Sequence, residues 1–141
     1  MTARFVTFAV ISLILCVAST ASAEVVTAKV SIATQTMSVY VDETLVHTWS
    51  VSTGRGRYVT PRGAYTPYWL SKNHRSKAYN NAPMPFSVFF LRGYAVHGTT
   101  AVKDLGRPAS HGCVRLLTDN ARILYGLVEQ HGKKNVSIII E

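Results

Sequence analysis

The chain has 141 residues, 48% of them hydrophobic, with 15 Lys and Arg against 7 Asp and Glu for a formal balance of +8. That length suits one domain rather than two, and that hydrophobic content supports a packed core rather than intrinsic disorder. With two cysteines, Cys16 and Cys113, the composition excludes a disulfide-stapled mini-protein, a collagen-like chain and an acidic solvating tail.

Residues 1–23 read as a secretory signal. Arg4 supplies the positive charge, Phe5 to Ala18 is an apolar run broken only by Thr7 and Ser12, and Ala21-Ser22-Ala23 is an A-x-A exit. The run is shorter than the ~20 residues that span a bilayer, which disfavours a membrane anchor and leaves no stable span after cleavage. Leu15 precedes Cys16 where a lipoprotein signal needs a small residue. Cleavage after Ala23 leaves 24–141 as one mature domain, large enough to fold on its own core without staples. An exported domain with this basic balance is expected in the periplasm or cell envelope. It would meet acidic wall polymers, carboxylate-bearing peptides or anionic lipid rather than nucleic acid. Without Cys16, Cys113 has no internal disulfide partner, so it is a buried spectator, an intermolecular bridge or a working thiol.

Period-two alternation predicts strands through Ala28, Val30 and Ile32 and through Met37, Val39 and Val41. A tight turn at Asp42-Glu43-Thr44 leads to a third strand over Leu45 to Ser52. Gly54-Arg55-Gly56-Arg57 is a loop; it lacks the following helix and the Lys-Ser/Thr pair of a phosphate loop. Thr60-Pro61-Arg62-Gly63 predicts a turn into a strand over Ala64 to Leu70, and the polar, proline-bearing stretch Ser71 to Pro85 predicts a long surface loop. Two more strands follow at Phe86 to Phe90 and Tyr94 to His97, then a loop over Gly98 to Ala109. One helix is predicted, with Thr118 as N-cap, Asp119 at the positive dipole end, Ala121, Leu124, Tyr125 and Val128 as its apolar face, and Gly132 as its stop. A last strand runs through Val136, Ile138 and Ile140. His47, His74 and His131 carry no motif, while Trp49 and Tyr125 read as core. Arg55, Arg57, Lys72, Arg75 and Lys77 read equally as a solvated face or as substrate attraction.

The chemistry is concentrated in Ser110-His111-Gly112-Cys113-Val114-Arg115-Leu116, thirteen residues after His97-Gly98. Cysteine catalysis needs a thiolate, a base or cation that favours it, and backbone donors aimed at the oxyanion. Either His97 or His111 could pair with the thiol. If Ser110 to Arg115 is extended, His111 and Cys113 share one face about 6.6 Å apart, which suits lining one pocket better than a direct hydrogen bond. His97, at the end of a neighbouring strand, is the favoured base. As a cation it would hold the Cys113 thiol below its ordinary range. A zinc site from His97, His111 and Cys113 matches catalytic zinc in ligand type but lacks paired-ligand spacing.

Tyr94-Ala95-Val96-His97-Gly98 together with the Ser110 to Leu116 run resembles the L,D-transpeptidase catalytic domain, the YkuD-like fold. The resemblance extends to Val51-Ser52-Thr53-Gly54, to Thr60-Pro61-Arg62-Gly63 and to Met84-Pro85-Phe86. It implies a mainly β, β-sandwich-like fold with one principal helix after the catalytic cysteine, and no cofactor. By resemblance, Cys113 is the acyl-accepting nucleophile, His97 its base, and the Gly98 carbonyl the group that orients His97. The Gly112 and Cys113 N–H groups form the oxyanion hole, and Ser110, His111 and Arg115 shape the substrate pocket. The implied reaction breaks the L-centre–D-Ala bond of a peptidoglycan tetrapeptide stem and passes the acyl group to an amine. That amine belongs to another stem, giving a 3→3 cross-link, or to an outer-membrane protein. A carbapenem would acylate the same thiol. The alternatives are an L,D-carboxypeptidase or hydrolase using the same acyl-enzyme, and a catalytically silent wall-binding module.

Overall fold

The computed structural model describes residues 22–141, so the apolar run read as a secretory signal lies outside the described residues. β1 (Val26–Ser31) and β2 (Thr36–Val41) pair antiparallel and bury alternate side chains, with Val26, Ala28, Val30, Met37 and Val39 fully enclosed. Each buried valine or methionine contributes roughly 1.5–3 kcal/mol, so this alternation fixes which face turns inward. β3 (Thr44–Ser50) adds an antiparallel edge with Leu45 and Val46 exposed. Between β1 and the short β4 (Gly63–Tyr65) runs β9 (Val136–Ile140), parallel to β1 and antiparallel to β4. The first sheet thus has the order β3-β2-β1-β9-β4.

The second sheet has the order β5-β6-β7-β8, from β5 (Trp69–Ser76), β6 (Ala82–Leu91), β7 (Tyr94–Thr99) and β8 (Val114–Leu117). β8 runs parallel to β7 and passes directly into α1 (Thr118–His131). The core joins β1, β2 and β9 of the first sheet to Val88, Phe90, Val96, Val114 and Leu116 of the second, and Ala121, Leu124 and Val128 of α1 close it. The chain is therefore mainly β, with two sheets and one α-helix among the described residues. No described helix is long and apolar enough to cross a membrane.

Three local expectations are corrected. Ser71 to Pro85 is a hairpin rather than a loop, with Asn73 opposite Pro85 and Arg75 opposite Pro83. β7 pairs β6 only from Val88 onward, so the prolines lie on a stretch with no neighbour on that side, where a missing N–H breaks no ladder. The single strand expected over 64–70 is two strands in different sheets: Gly63–Tyr65 joins β9, and Trp69 opens β5. Thr118 is the first residue of α1 rather than its cap, because its hydroxyl donates to the Thr99 carbonyl at 3.3 Å. The helix does stop at Gly132, whose N–H donates to the Val128 carbonyl at 3.0 Å. Trp49 and Tyr125 do pack against the core as partly buried residues, Trp49 stacked on His47 at 4.7 Å and Tyr125 meeting Phe86 edge-on at 5.7 Å.

Candidate active site

The same strand alternation builds the site. Val96 and Val114 are partners in the parallel β7–β8 ladder and both face the core. Their neighbours His97 and Arg115, also partners, therefore project from the opposite face of the sheet. On that face Met84, Phe89 and Ala95 form a small apolar floor with Cys113 packed against it. A cleft of about 790 Å³ opens above it, walled by the β5–β6 hairpin and the start of the loop after β7. Cys113, His97, His111 and Arg115 all line it, with His74 and Lys77 on the hairpin wall; no Asp or Glu does. None of the described ion pairs includes Arg115.

His97 is buried, and its Nδ1 lies 2.8 Å from the Gly98 carbonyl oxygen. A carbonyl only accepts, so Nδ1 carries the proton and Nε2 holds the lone pair. Burial first, then Arg115 and His74, lower the His97 pKa to about 4 against the pull of that hydrogen bond. The Cys113 sulfur lies 3.8 Å from the Gly93 carbonyl oxygen. Burial pushes the thiol pKa up, offset in part by a hydrogen bond from the Ala95 backbone and by Arg115. Both groups are therefore neutral near pH 7. This corrects the expectation of a His97 cation holding a low-pKa thiolate: burial, with Arg115 and His74 adding to it, penalises a positive charge on His97, and burial likewise penalises a negative one on the sulfur.

Residues 111–113 form a bend rather than an extended strand. Gly112 has φ +117°, and a Cβ there would stand 2.7 Å from the Tyr94 ring, so only glycine fits. The bend is pinned from inside. Ser110 is fully buried, and its hydroxyl donates to the Cys113 carbonyl at 2.6 Å while accepting the Gly112 N–H at 3.0 Å. Ser110 is thus a brace at the cleft floor rather than a free substrate ligand. The Gly112 N–H is committed to it, which removes one of the two amides expected to face an oxyanion. The Cys113 N–H makes no hydrogen bond among the described residues. His111 does not share a strand face with Cys113; its ring stacks on Tyr79 at 4.1 Å and meets Tyr58 edge-on at 4.7 Å. Partial burial lowers its pKa, and Arg55 and Arg115 add to the effect.

A buried polar layer backs this bend. Gln35 donates to the Ile32 carbonyl at 2.8 Å and to the Thr53 hydroxyl at 2.7 Å, and accepts the Thr53 N–H at 2.9 Å. The Ser52 hydroxyl donates to the Arg107 carbonyl, and Gly54 forms a parallel bridge with Ser110. A Cβ on Gly54 would fall 1.6 Å from the Tyr58 carbonyl oxygen, so this segment passes only with glycine. Thr60, 2% exposed, accepts the Gly54 N–H at 2.9 Å and donates to the Gly112 carbonyl at 2.8 Å. Sequence reasoning gave Gln35, Thr60, Tyr58 and Tyr79 no role. Only the Thr60-Pro61-Arg62-Gly63 run carries a signal, as a turn and as part of the resemblance. Of the five basic residues left open, Lys77 reaches the cleft, Arg75 donates to the Asn81 carbonyl, and Arg57 lies over the Tyr58 ring at 5.3 Å. Among the described residues no three His, Cys, Asp or Glu side chains come together as a metal-ligand set.

The arrangement is that of a thiol and a neutral imidazole lining one cationic cleft. The family model of the L,D-transpeptidase catalytic domain (YkuD) matches residues 26–138. YciB of Bacillus subtilis (strain 168), a protein named as a proposed L,D-transpeptidase, is 30% identical over 99 residues, covering 68% of this chain and 47% of its own length. A solved L,D-transpeptidase from Mycobacterium tuberculosis H37Rv superposes with TM-score 0.75 at 26% identity, covering 84% of this chain and 58% of that one. Another, from Stackebrandtia nassauensis, gives 0.71 at 28% identity, covering 85% and 57%. The chain thus spans roughly half the length of these relatives and carries the part they share with it. It belongs to the L,D-transpeptidase catalytic-domain family.

Proposed function

We propose that the protein is an exported peptidoglycan L,D-transpeptidase working through a Cys113 acyl-enzyme. The observation that carries this reading is that Cys113 and a buried His97, its tautomer fixed by the Gly98 carbonyl, line one cleft without carboxylates. The unprotonated Nε2 takes the thiol proton as sulfur attacks the carbonyl carbon of the L-centre–D-Ala bond. The same proton passes to the departing D-Ala amine as the C–N bond breaks, leaving a thioester on Cys113. An acceptor amine then attacks the thioester carbonyl; its proton goes to His97 and on to the released sulfur. The Cys113 N–H is the backbone donor for the oxyanion in both halves. Arg115, with no acidic partner among the described residues, is suited to a stem-peptide carboxylate.

The acceptor is proposed to be the side-chain amine of a second stem or an amine of an outer-membrane protein. Incubating the enzyme with purified tetrapeptide stems and reading the products by mass spectrometry tests this. Expected are free D-Ala and 3→3 dimers, with a protein adduct when an acceptor protein is supplied. Tripeptide alone would make it an L,D-carboxypeptidase. No turnover, with sacculus binding unchanged by Cys113→Ala, would leave a wall-binding module.

Export is proposed from the Arg4 start, the apolar run and the Ala21-Ser22-Ala23 exit. Intact mass of the envelope fraction is expected to begin at Glu24; retention of Met1, or a lipid on Cys16, would overturn it.

A further inference from the structure

We propose that Thr60 is a positioning residue that aims and strengthens the Cys113 N–H as the oxyanion donor; this rests on the acyl-transfer reading above. Thr60 lies outside the Ser110 to Arg115 run and touches no reacting atom. Its hydroxyl is buried and holds two backbone groups of different segments, the Gly54 N–H at 2.9 Å and the Gly112 carbonyl at 2.8 Å. An amide N–H only donates, so the hydroxyl accepts from Gly54 and its single proton is directed to Gly112. No other proton is available to that contact.

The consequence falls on the next atom of the same peptide group. The Gly112–Cys113 peptide is planar and trans, so its N–H points opposite to its carbonyl. Fixing the carbonyl toward Thr60 therefore fixes the Cys113 N–H away from Thr60. Gly112 is the residue whose peptide could most easily turn otherwise, because glycine has few steric limits on rotation. The flanking bonds do not do this job: Ser110 holds the Gly112 N–H and the Cys113 carbonyl, which belong to the peptides on either side. Polarisation adds to aim. A hydrogen bond accepted by the carbonyl draws electron density through the amide and makes its N–H a stronger donor. Thr60 is itself anchored, because Gly54 bridges to Ser110 and a side chain on Gly54 would strike the Tyr58 carbonyl.

The test separates aiming the amide from holding the thiol. Acylation by a carbapenem builds charge on a carbonyl oxygen, whereas alkylation by iodoacetamide displaces iodide and builds none. Thr60→Val keeps shape and loses the hydroxyl; Thr60→Ser keeps the hydroxyl. For folded Thr60→Val the acylation rate constant is expected to fall roughly ten- to a hundredfold, by kcat rather than KM on tetrapeptide stems. Its alkylation rate and alkylation pH profile should stay within about twofold of wild type. Thr60→Ser should acylate at close to the wild-type rate. Should Thr60→Val fail to fold, Thr60→Ala carries the same comparison. Acylation unchanged in the hydroxyl-free variant would overturn the inference. So would acylation and alkylation falling together, which means a displaced thiol, or Thr60→Ser being as slow as Thr60→Val, which means lost packing. Failure of the wild type itself to be acylated, by carbapenem or by stem, would instead remove the acyl-transfer reading, and this inference with it.

Discussion

Cys113→Ser is expected to lose acyl-enzyme formation by at least about 10⁴-fold while folding as the wild type does. The size of the loss follows from the base available. His97 has a pKa of about 4, so it is too weak a base to activate an alcohol and suffices only for a thiol, whose proton is far more acidic. The fold should tolerate the change. Cys113 is half-buried at the cleft floor, not in the main core, and its sulfur reaches only the Gly93 carbonyl, at 3.8 Å, and the Ala95 backbone. Residues that act as one unit lose activity non-additively, so Cys113→Ser with His97→Asn should cost little more than Cys113→Ser alone. Intact mass after carbapenem treatment reads the adduct, and peptide mapping reads its place. An adduct on another residue, or a double variant much slower than Cys113→Ser, would break the pair.

The strands of the two-sheet core were legible because one face of each is buried. Val26, Ala28 and Val30, Met37 and Val39, and Val136, Ile138 and Ile140 alternate in the sequence as they do in space. The β5–β6 hairpin was not legible, for the converse reason. Lys72, Asn73, Arg75 and Pro83 are all exposed, so no alternation appears and the prolines read as loop. Its inner face lines a cleft instead of a core, and a cleft imposes no apolar period. Thr118 misled in a different way: its hydroxyl found the Thr99 carbonyl across the β7–α1 contact, a tertiary partner that a local capping rule does not see.

The site divides along the same line. His97 and Arg115 were legible because the ladder that joins β7 to β8 carries them on one face, and Cys113, in the bend just before β8, because it stands in the same short motif. What lies behind them was not. Gln35, Ser52, Thr53 and Thr60 come from turns and connections far apart in the chain, and their bonds exist only once both sheets have formed. Buried polar side chains of this kind look like surface residues in a sequence. The charge states were hidden as well, since a cysteine and a histidine in one motif suggest an ion pair, and only burial decides otherwise.

That decision has a pH signature, which His97 is expected to show in both stability and reactivity. In the unfolded chain a histidine takes up its proton near pH 6.5, whereas folded His97 does so only at about 4. Between those values the unfolded state binds more protons, so acid favours it: the contribution is complete above pH 6.5 and is lost as the pH falls to about 4. At about 1.4 kcal/mol per pH unit the loss is about 3 kcal/mol, and His97→Asn should abolish it. Melting temperature against pH for the two proteins checks this. Cys113 acts on the other side: its raised pKa leaves the unfolded thiol to ionise first, so stability declines at alkaline pH. Reactivity follows the same charges. Iodoacetamide alkylation should be slow at neutral pH and climb steadily into the alkaline range, where the raised thiol ionises. Stem acylation, which uses neutral His97, should stay level well below pH 6 and fall only near 4; His97→Asn should lose roughly 10² to 10⁴ of it at every pH. Arg115 and His74 both push His97 down, only the Gly98 hydrogen bond opposes them, and no carboxylate lines the cleft. Fast alkylation that is level from pH 5 to 7 would mean a preformed thiolate and imidazolium, and a neutral pair would then be the wrong ground state for this site.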